Sequence, residues 1–299
     1  MNPIQEEWPM SEAMKIVECP RDAWHGLAQP IPAEIKADYL QTLVAAGFRT
    51  IDAVSFVSPA AVPQTADSEI VLDLMDPPDD CEILGLVVNR KGAERAIRSG
   101  AVATIGFPYS LSAEYLRRNQ NQTHEEALDT LEQVGETAYK AGLDLVVYLS
   151  MAFGNPYGEV WDREEVLAAC DLLADNGIGT VNLADTVGIA TAEQLGSITS
   201  AVVEAWPEMQ VGVHLHTKPE DAATKVHAVY AAGCRRLDMA IGGLGGSPFA
   251  QNALLGNLAT ETAVAELRQL GARLPLLSPL DGLLAASREI ERRFGGKLQ

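Results

Sequence analysis

Short apolar, β-rich runs recur along the chain at residues 15–19, 50–54, 83–88, 103–107, 145–149, 180–183, 211–216 and 236–240. Between them the period changes. Residues 33–45 place Tyr39, Leu40, Leu43 and Val44 on one side of a helix, and 125–141, 164–176, 191–206 and 219–231 are spaced in the same way. Several helices run into a glycine before the next strand, at Gly47, Gly100, Gly142, Gly177 and Gly233, a common way to stop a helix and turn the chain back. Strands alternating with helices predict an α/β fold, a parallel sheet covered by helices. Over 299 residues the natural closed form is a (β/α)8 TIM barrel. An open doubly wound sheet is the alternative. Its G-x-G-x-x-G signature does not follow the first strand, where the chain reads C-P-R-D-A-W-H-G. No linker interrupts the pattern, so 1–299 is expected to be one barrel domain, with 275–299 adding a C-terminal helix and tail.

Composition narrows the function classes. Hydrophobic residues make up 47% of the chain, ample for a large core. Lys and Arg total 22 against 41 Asp and Glu, a formal charge of -19. Such a surface repels phosphate backbones and argues against nucleic acid as a partner. The start, M-N-P-I-Q-E-E-W-P-M, lacks the basic and apolar regions of a secretory signal. No apolar run reaches the roughly 18 residues of a membrane span. Cys19, Cys81, Cys170 and Cys234 are far apart and form no C-x-x-C pair, which suits buried thiols in a reducing compartment. A cytoplasmic protein is expected, with no membrane partner.

Candidate chemistry begins at V-G-V-H-L-H-T, residues 211–217. Side chains alternate along a strand, so His214 and His216 face the same way. Val211, Val213 and Leu215 suit the layer under the helices. Gly212, His214 and His216 then point into the barrel near the strand's C-terminal end, where barrel active sites lie. Two imidazoles there make half of a metal site or a pair of hydrogen-bonded core histidines. Asp22 after the first strand and Asn257 beyond the eighth can complete a mixed nitrogen and oxygen set. That set suits Mg, Mn or Zn without choosing among them. Each also has a plain reading as a helix or turn cap.

Further stretches run nearly the length of the chain. They are I-V-E-C-P-R-D (16–22), I-D-A-V-S-F-V-S-P (51–59), V-P-Q-T-A-D (62–67), R-R-N-Q-N-Q-T (117–123), F-G-N-P-Y-G (153–158), N-L-A-D-T-V-G (182–188), V-H-L-H (213–216), and G-G-L-G-G-S-P-F-A followed by G-N-L-A-T-E. In order and spacing they resemble the hydroxymethylglutaryl-CoA lyases, metal-dependent enzymes on a (β/α)8 barrel. The resemblance implies that Asp22, His214, His216 and Asn257 bind a divalent metal, Mg or Mn before Zn. It implies that Arg21 polarises the substrate carbonyl and steadies an enolate. Asp52 and Asp185 fall on catalytic positions, and Tyr148 and Asn182 on substrate-binding ones. The implied reaction is retro-Claisen cleavage of a 3-hydroxy-3-methylglutaryl thioester to acetyl-CoA and acetoacetate, a step of leucine catabolism, with a homodimer as the assembly. Arg21 is expected to matter for turnover and to be nearly neutral for stability, because a barrel mouth is wet.

The chain departs from that pattern at the proton-handling groups. Ser247 stands where the lyases carry a loop cysteine, and a hydroxyl exchanges protons far less readily than a thiol. Asp52 stands in place of glutamate, and His25 in place of glutamine. His25 can enter a proton relay or simply bind substrate or water. The acyl-CoA substrate would need cations for its phosphates, for which Arg117, Arg118 and Lys297 are candidates; solvated surface charges are the other reading. A related aldolase or condensing enzyme, and a barrel that binds a metabolite without turnover, are the competing functions.

Overall fold

The computed structural model describes residues 13–245 and 255–295. Eight parallel strands form a closed barrel: β1 (Lys15–Glu18), β2 (Thr50–Ser55), β3 (Glu82–Leu86), β4 (Thr104–Ser110), β5 (Asp144–Ser150), β6 (Thr180–Asp185), β7 (Gln210–Leu215) and β8 (Arg236–Met239). Each bonds to the next, and β8 returns to β1 in a register running from Lys15 opposite Arg236 to Glu18 opposite Met239. Every strand falls on one of the apolar runs in the sequence. The β2–β3 register slips between Asp52 and Val54, in the middle of β2.

Around the barrel lie α1 (Pro20–His25), α2 (Ala33–Ala45), α3 (Ser68–Met75), α4 (Arg90–Ser99), α5 (Ala113–Asn119), α6 (His124–Ala141), α7 (Arg163–Asp175), α8 (Ala192–Ala205), α9 (Pro219–Ala231), α10 (Thr260–Gln269) and α11 (Asp281–Phe294). Their starts are set locally. Thr123 and Thr191 form capping boxes with Glu126 and Gln194, and Ser112 and Asp162 accept from backbone N–H groups of the first turn. Gly47 shows why a glycine ends α2: its φ is +104°, and a Cβ there would lie 2.4 Å from the Leu276 carbonyl oxygen. The expected C-terminal helix is α11. No helix among the described residues is long and apolar enough to cross a membrane.

The main core sits between strands and helices. Val211, Val213 and Leu215 pack there with buried helix residues such as Leu195, Val202 and Val226. Inside the barrel the apolar content is small, Leu84, Val146 and Tyr148 with Leu86 beside them. The interior is otherwise polar at Asn182, Arg236 and Asp238, all buried.

The periodicity of the sequence assigns no element to the stretch after β1. C-P-R-D-A-W-H-G is a short helix, α1, and not a loop. Proline at its first position pre-sets φ for a helix, and six residues are too few for periodicity to reveal it. Arg21, Asp22 and His25 therefore share a rigid turn, with Asp22 and His25 three apart on one face.

Candidate active site

The C-terminal ends of the strands surround a cavity of about 170 Å³. Arg21, Asp22 and His25 reach it from α1, Tyr148 and Ser150 from β5, and His214 and His216 from the end of β7. The opposite end of the barrel has a larger cavity of about 670 Å³, lined by strand starts such as Lys15, Glu82, Thr104 and Arg236. The smaller cavity is where barrel chemistry takes place, because there the strand ends and their loops converge.

The four expected metal ligands come together. His214 and His216 stack edge to face with centroids 5.1 Å apart. His214 Nε2 lies 4.0 Å from Asp22 Oδ2. The segment after the glycine-rich loop bridges to the end of β7, with His216 opposite Asn257 and the Thr217 N–H donating to the Gly256 carbonyl at 3.0 Å. That pairing brings Asn257 in, and its Nδ2 donates to Asp22 Oδ2 at 3.0 Å and to the Leu244 carbonyl at 2.9 Å. With the amide nitrogen so used, the side-chain oxygen is the atom left for a cation. Ligand atoms of Asp22, His214 and His216 lie within 4.8 Å of one another. Two ligands of one ion stand at most two bond lengths apart, about 4–5 Å for bonds of 2.0–2.6 Å. The residues present therefore fit a divalent ion.

The charge states suit the same use. Burial pushes the Asp22 carboxyl up, but Arg21, then His214 and His216, outweigh it and hold it well below the usual carboxylate range. Burial and the neighbouring His214 push His216 down to about 4, so its imidazole is neutral at neutral pH. Burial also lowers His25, against the pull of Asp22.

Arg21 is buried and held through three of its five N–H groups. Its Nε donates to Asp52 Oδ1 at 3.1 Å, its Nη2 donates to Asp52 Oδ2, and its Nη1 donates to Asp22 Oδ1 at 2.9 Å. The expectation that Arg21 is solvated is corrected: it is only 7% exposed. Asp52 is not among the residues lining the cavity and reaches the site only through Arg21.

Other candidates stand elsewhere. Asp185, expected at a catalytic position, does not line the cavity. The strand alternates, so Asn182 and Ala184 face inward and Asp185 faces the helices. There it accepts from the Ile189 and Ala190 N–H groups at 3.0 and 3.1 Å, and Lys225 Nζ lies 3.6 Å away. Asn182 is wholly buried among the interior polar groups and does not line the cavity. Arg117 and Arg118 are exposed on α5 and paired with Glu114, and Arg118 also lies over the Tyr157 ring at 5.0 Å. Ser247 and Lys297 lie outside the described residues.

Several lining residues were not singled out from the sequence: Tyr115, Gln120, Ser150 and Thr186. Gln120 and Thr186 fall within the quoted stretches 117–123 and 182–188, Ser150 ends β5, and Tyr115 lies on α5, which follows β4. Thr186 Oγ1 accepts the Met151 N–H at 2.9 Å, and Met151 has a φ of +61°. A non-glycine residue in that region costs energy and needs such support. Glu18 was also passed over. It accepts from the Ile241 N–H at 2.8 Å and the Thr260 hydroxyl at 2.6 Å, pinning the start of the loop after β8. Burial pushes its carboxyl up to about 8.

Comparison with known proteins gives a consistent set of likenesses. The model of the family described as HMGL-like matches residues 14–283. The hydroxymethylglutaryl-CoA lyase of Bacillus subtilis is 32% identical over 279 residues, 93% of this chain and 92% of that protein. The enzyme of the same name from Pseudomonas mevalonii is 31% identical over 261 residues, 87% of this chain and 86% of that one. Among solved structures, an HMG-CoA lyase from Acinetobacter baumannii in complex with coenzyme A and 3-methylmalate superposes with a TM-score of 0.86 at 30% identity, covering 97% of this chain and 95% of that one.

Proposed function

The chain belongs to the HMGL-like family, and on that premise we propose that it is a divalent-metal carbon–carbon lyase cleaving 3-hydroxy-3-methylglutaryl-CoA to acetyl-CoA and acetoacetate. The observation that carries this reading is the convergence of Arg21, Asp22, His214 and His216 on one cavity, with Asn257 hydrogen-bonded to Asp22.

Asp22, His214, His216 and Asn257 hold the ion, Mg or Mn before Zn. Bound there, a divalent ion would supply Lewis acidity that eases loss of the proton from the substrate's tertiary hydroxyl. The bond between C2 and C3 of the acyl chain then breaks. Its electrons pass to C2 as the enolate of the acetyl thioester, while C3 becomes the ketone of acetoacetate. Arg21 faces the developing enolate oxygen as a permanent, planar charge whose position Asp52 and Asp22 fix in advance. His25 serves the proton relay, taking the hydroxyl proton and returning one to C2. Ser247 and Tyr148 hold the substrate. Asp52 and Asp185 act indirectly, by fixing Arg21 and the loop after β6, while Asn182 lies buried beneath the site.

The acyl-CoA substrate class is supported by the coenzyme A bound in the Acinetobacter baumannii structure. Arg117 and Arg118 are the cations for its phosphates, exchanging Glu114 for them. The chain as one barrel domain, a homodimeric assembly, a cytoplasmic location and a place in leucine breakdown belong to the same reading. Incubation with 3-hydroxy-3-methylglutaryl-CoA and Mg or Mn should yield acetyl-CoA and acetoacetate in equal amounts. Absence of both products contradicts it.

A further inference from the structure

Beneath the metal cluster lies a second buried arrangement that the reaction does not itself require. On β7 and β8, Gly212 stands opposite Arg236 and His214 opposite Asp238. Both β8 side chains are buried and point into the barrel with their β7 partners. His214 Nδ1 lies 3.4 Å from Asp238 Oδ2, while its Nε2 is the nitrogen nearest Asp22. The two ring nitrogens thus face opposite ways, one down to Asp238 and one up to the metal cluster. Arg236 Nε lies 3.7 Å from Asp238 Oδ1, and both side chains are essentially inaccessible. That cation balances a carboxylate that would otherwise be buried alone. Gly212 makes the room: a Cβ there would sit 2.8 and 2.9 Å from Arg236 Cδ and Cγ.

The chemistry of the pair is one-sided. An ionised carboxylate only accepts, so a neutral imidazole beside it carries its proton on Nδ1. The lone pair is then left on Nε2, aimed at Asp22 and the metal position. We propose that Asp238, backed by Arg236, is a positioning residue that fixes the ring orientation and tautomer of His214 for the metal. This rests on the metal-site reading above. Ligand atoms of Cys19, His214 and Asp238 also lie within 4.8 Å of one another, so a rival metal triad shares these side chains. Burial pushes the Cys19 thiol well above its usual range, so an ion held there would have to displace its proton, which the Asp22, His214 and His216 set does not require.

Two measurements test the proposal on the full chain. The first is histidine nitrogen NMR of the metal-free protein at alkaline pH, with the His214 signal identified by its loss in His214→Gln. The expected result is a neutral His214 protonated on Nδ1; protonation on Nε2 overturns the proposal whether or not any variant folds. The second is Mn2+ affinity of Asp238→Asn against wild type. The amide keeps the size but loses the charge and can donate to Nδ1, so affinity should fall about 10–100-fold as the His214 proton moves to Nε2. A variant that binds Mn2+ as tightly as wild type overturns the role of Asp238 alone. A wild type that binds no Mn2+ overturns the metal reading and, with it, this role.

Discussion

Arg21 meets Asp52 edge-on, with Nε donating to Oδ1 at 3.1 Å and Nη2 donating to Oδ2, both side chains buried. A third donor, Nη1, reaches Asp22 at 2.9 Å. The guanidinium ties α1 to β2 and is held in place before any substrate arrives. Charge fixed in advance stabilises a developing anion without reorganisation at the moment of reaction.

Arg21→Lys should lower kcat by on the order of 100-fold or more, because a point charge replaces the planar fork. Arg21→Met should in addition destabilise the fold by about 3–5 kcal/mol, since the buried Asp52 and the part-buried Asp22 lose their partner. Urea unfolding checks the second effect. A variant as stable as wild type would show that Asp52 and Asp22 do not depend on Arg21.

His25→Gln tests the proton relay. It should depress kcat far more than it raises KM, because the amide keeps a hydrogen-bonding group and loses the titrating one. Ser247→Cys in that background should restore part of the rate by supplying a thiol that exchanges protons near neutral pH. Full activity in His25→Gln would leave the proton to Ser247 or solvent.

The barrel was readable from the sequence because two periods alternate so regularly, and because glycines such as Gly47 stand where several of the helices must end. The convergence of His214 and His216 on one cavity was readable for a related reason: they share a strand face, and strand parity carries over to side-chain direction. What escaped the sequence depends on packing in space. Asp238 declares its role only once β8 lies beside β7 and puts it opposite His214. Asp185 turns outward by the same strand parity, which the sequence did carry, whereas the depth of Asn182, too far down to line the cavity, appears only in the fold. Glu18 reads as one residue of a strand until the loop after β8 folds over it.

Glu18 gives a pH-dependent prediction. Its folded pKa of about 8 lies above the ordinary 4.5. The folded chain therefore holds a proton that the unfolded chain gives up in that window. Stability is fully present below the lower value and is lost as pH rises toward the higher one, by on the order of 1 kcal/mol per pH unit. Glu18→Gln mimics the protonated form and should remove this slope, gaining on wild type as pH rises from 5 to 8 (about the window set by the two pKa values). Thermal unfolding across that range checks it; parallel profiles for the two proteins would mean that Glu18 titrates normally.

The central claim is that the ion held by Asp22, His214, His216 and Asn257 is needed for carbon–carbon cleavage. It is tested most directly by acetyl-CoA release from 3-hydroxy-3-methylglutaryl-CoA, using protein stripped of metal and then reloaded. Stripped protein should release none, and Mg2+ or Mn2+ should restore turnover in wild type but not in His216→Ala. Cleavage at full rate without a divalent ion, or none in its presence, contradicts the account.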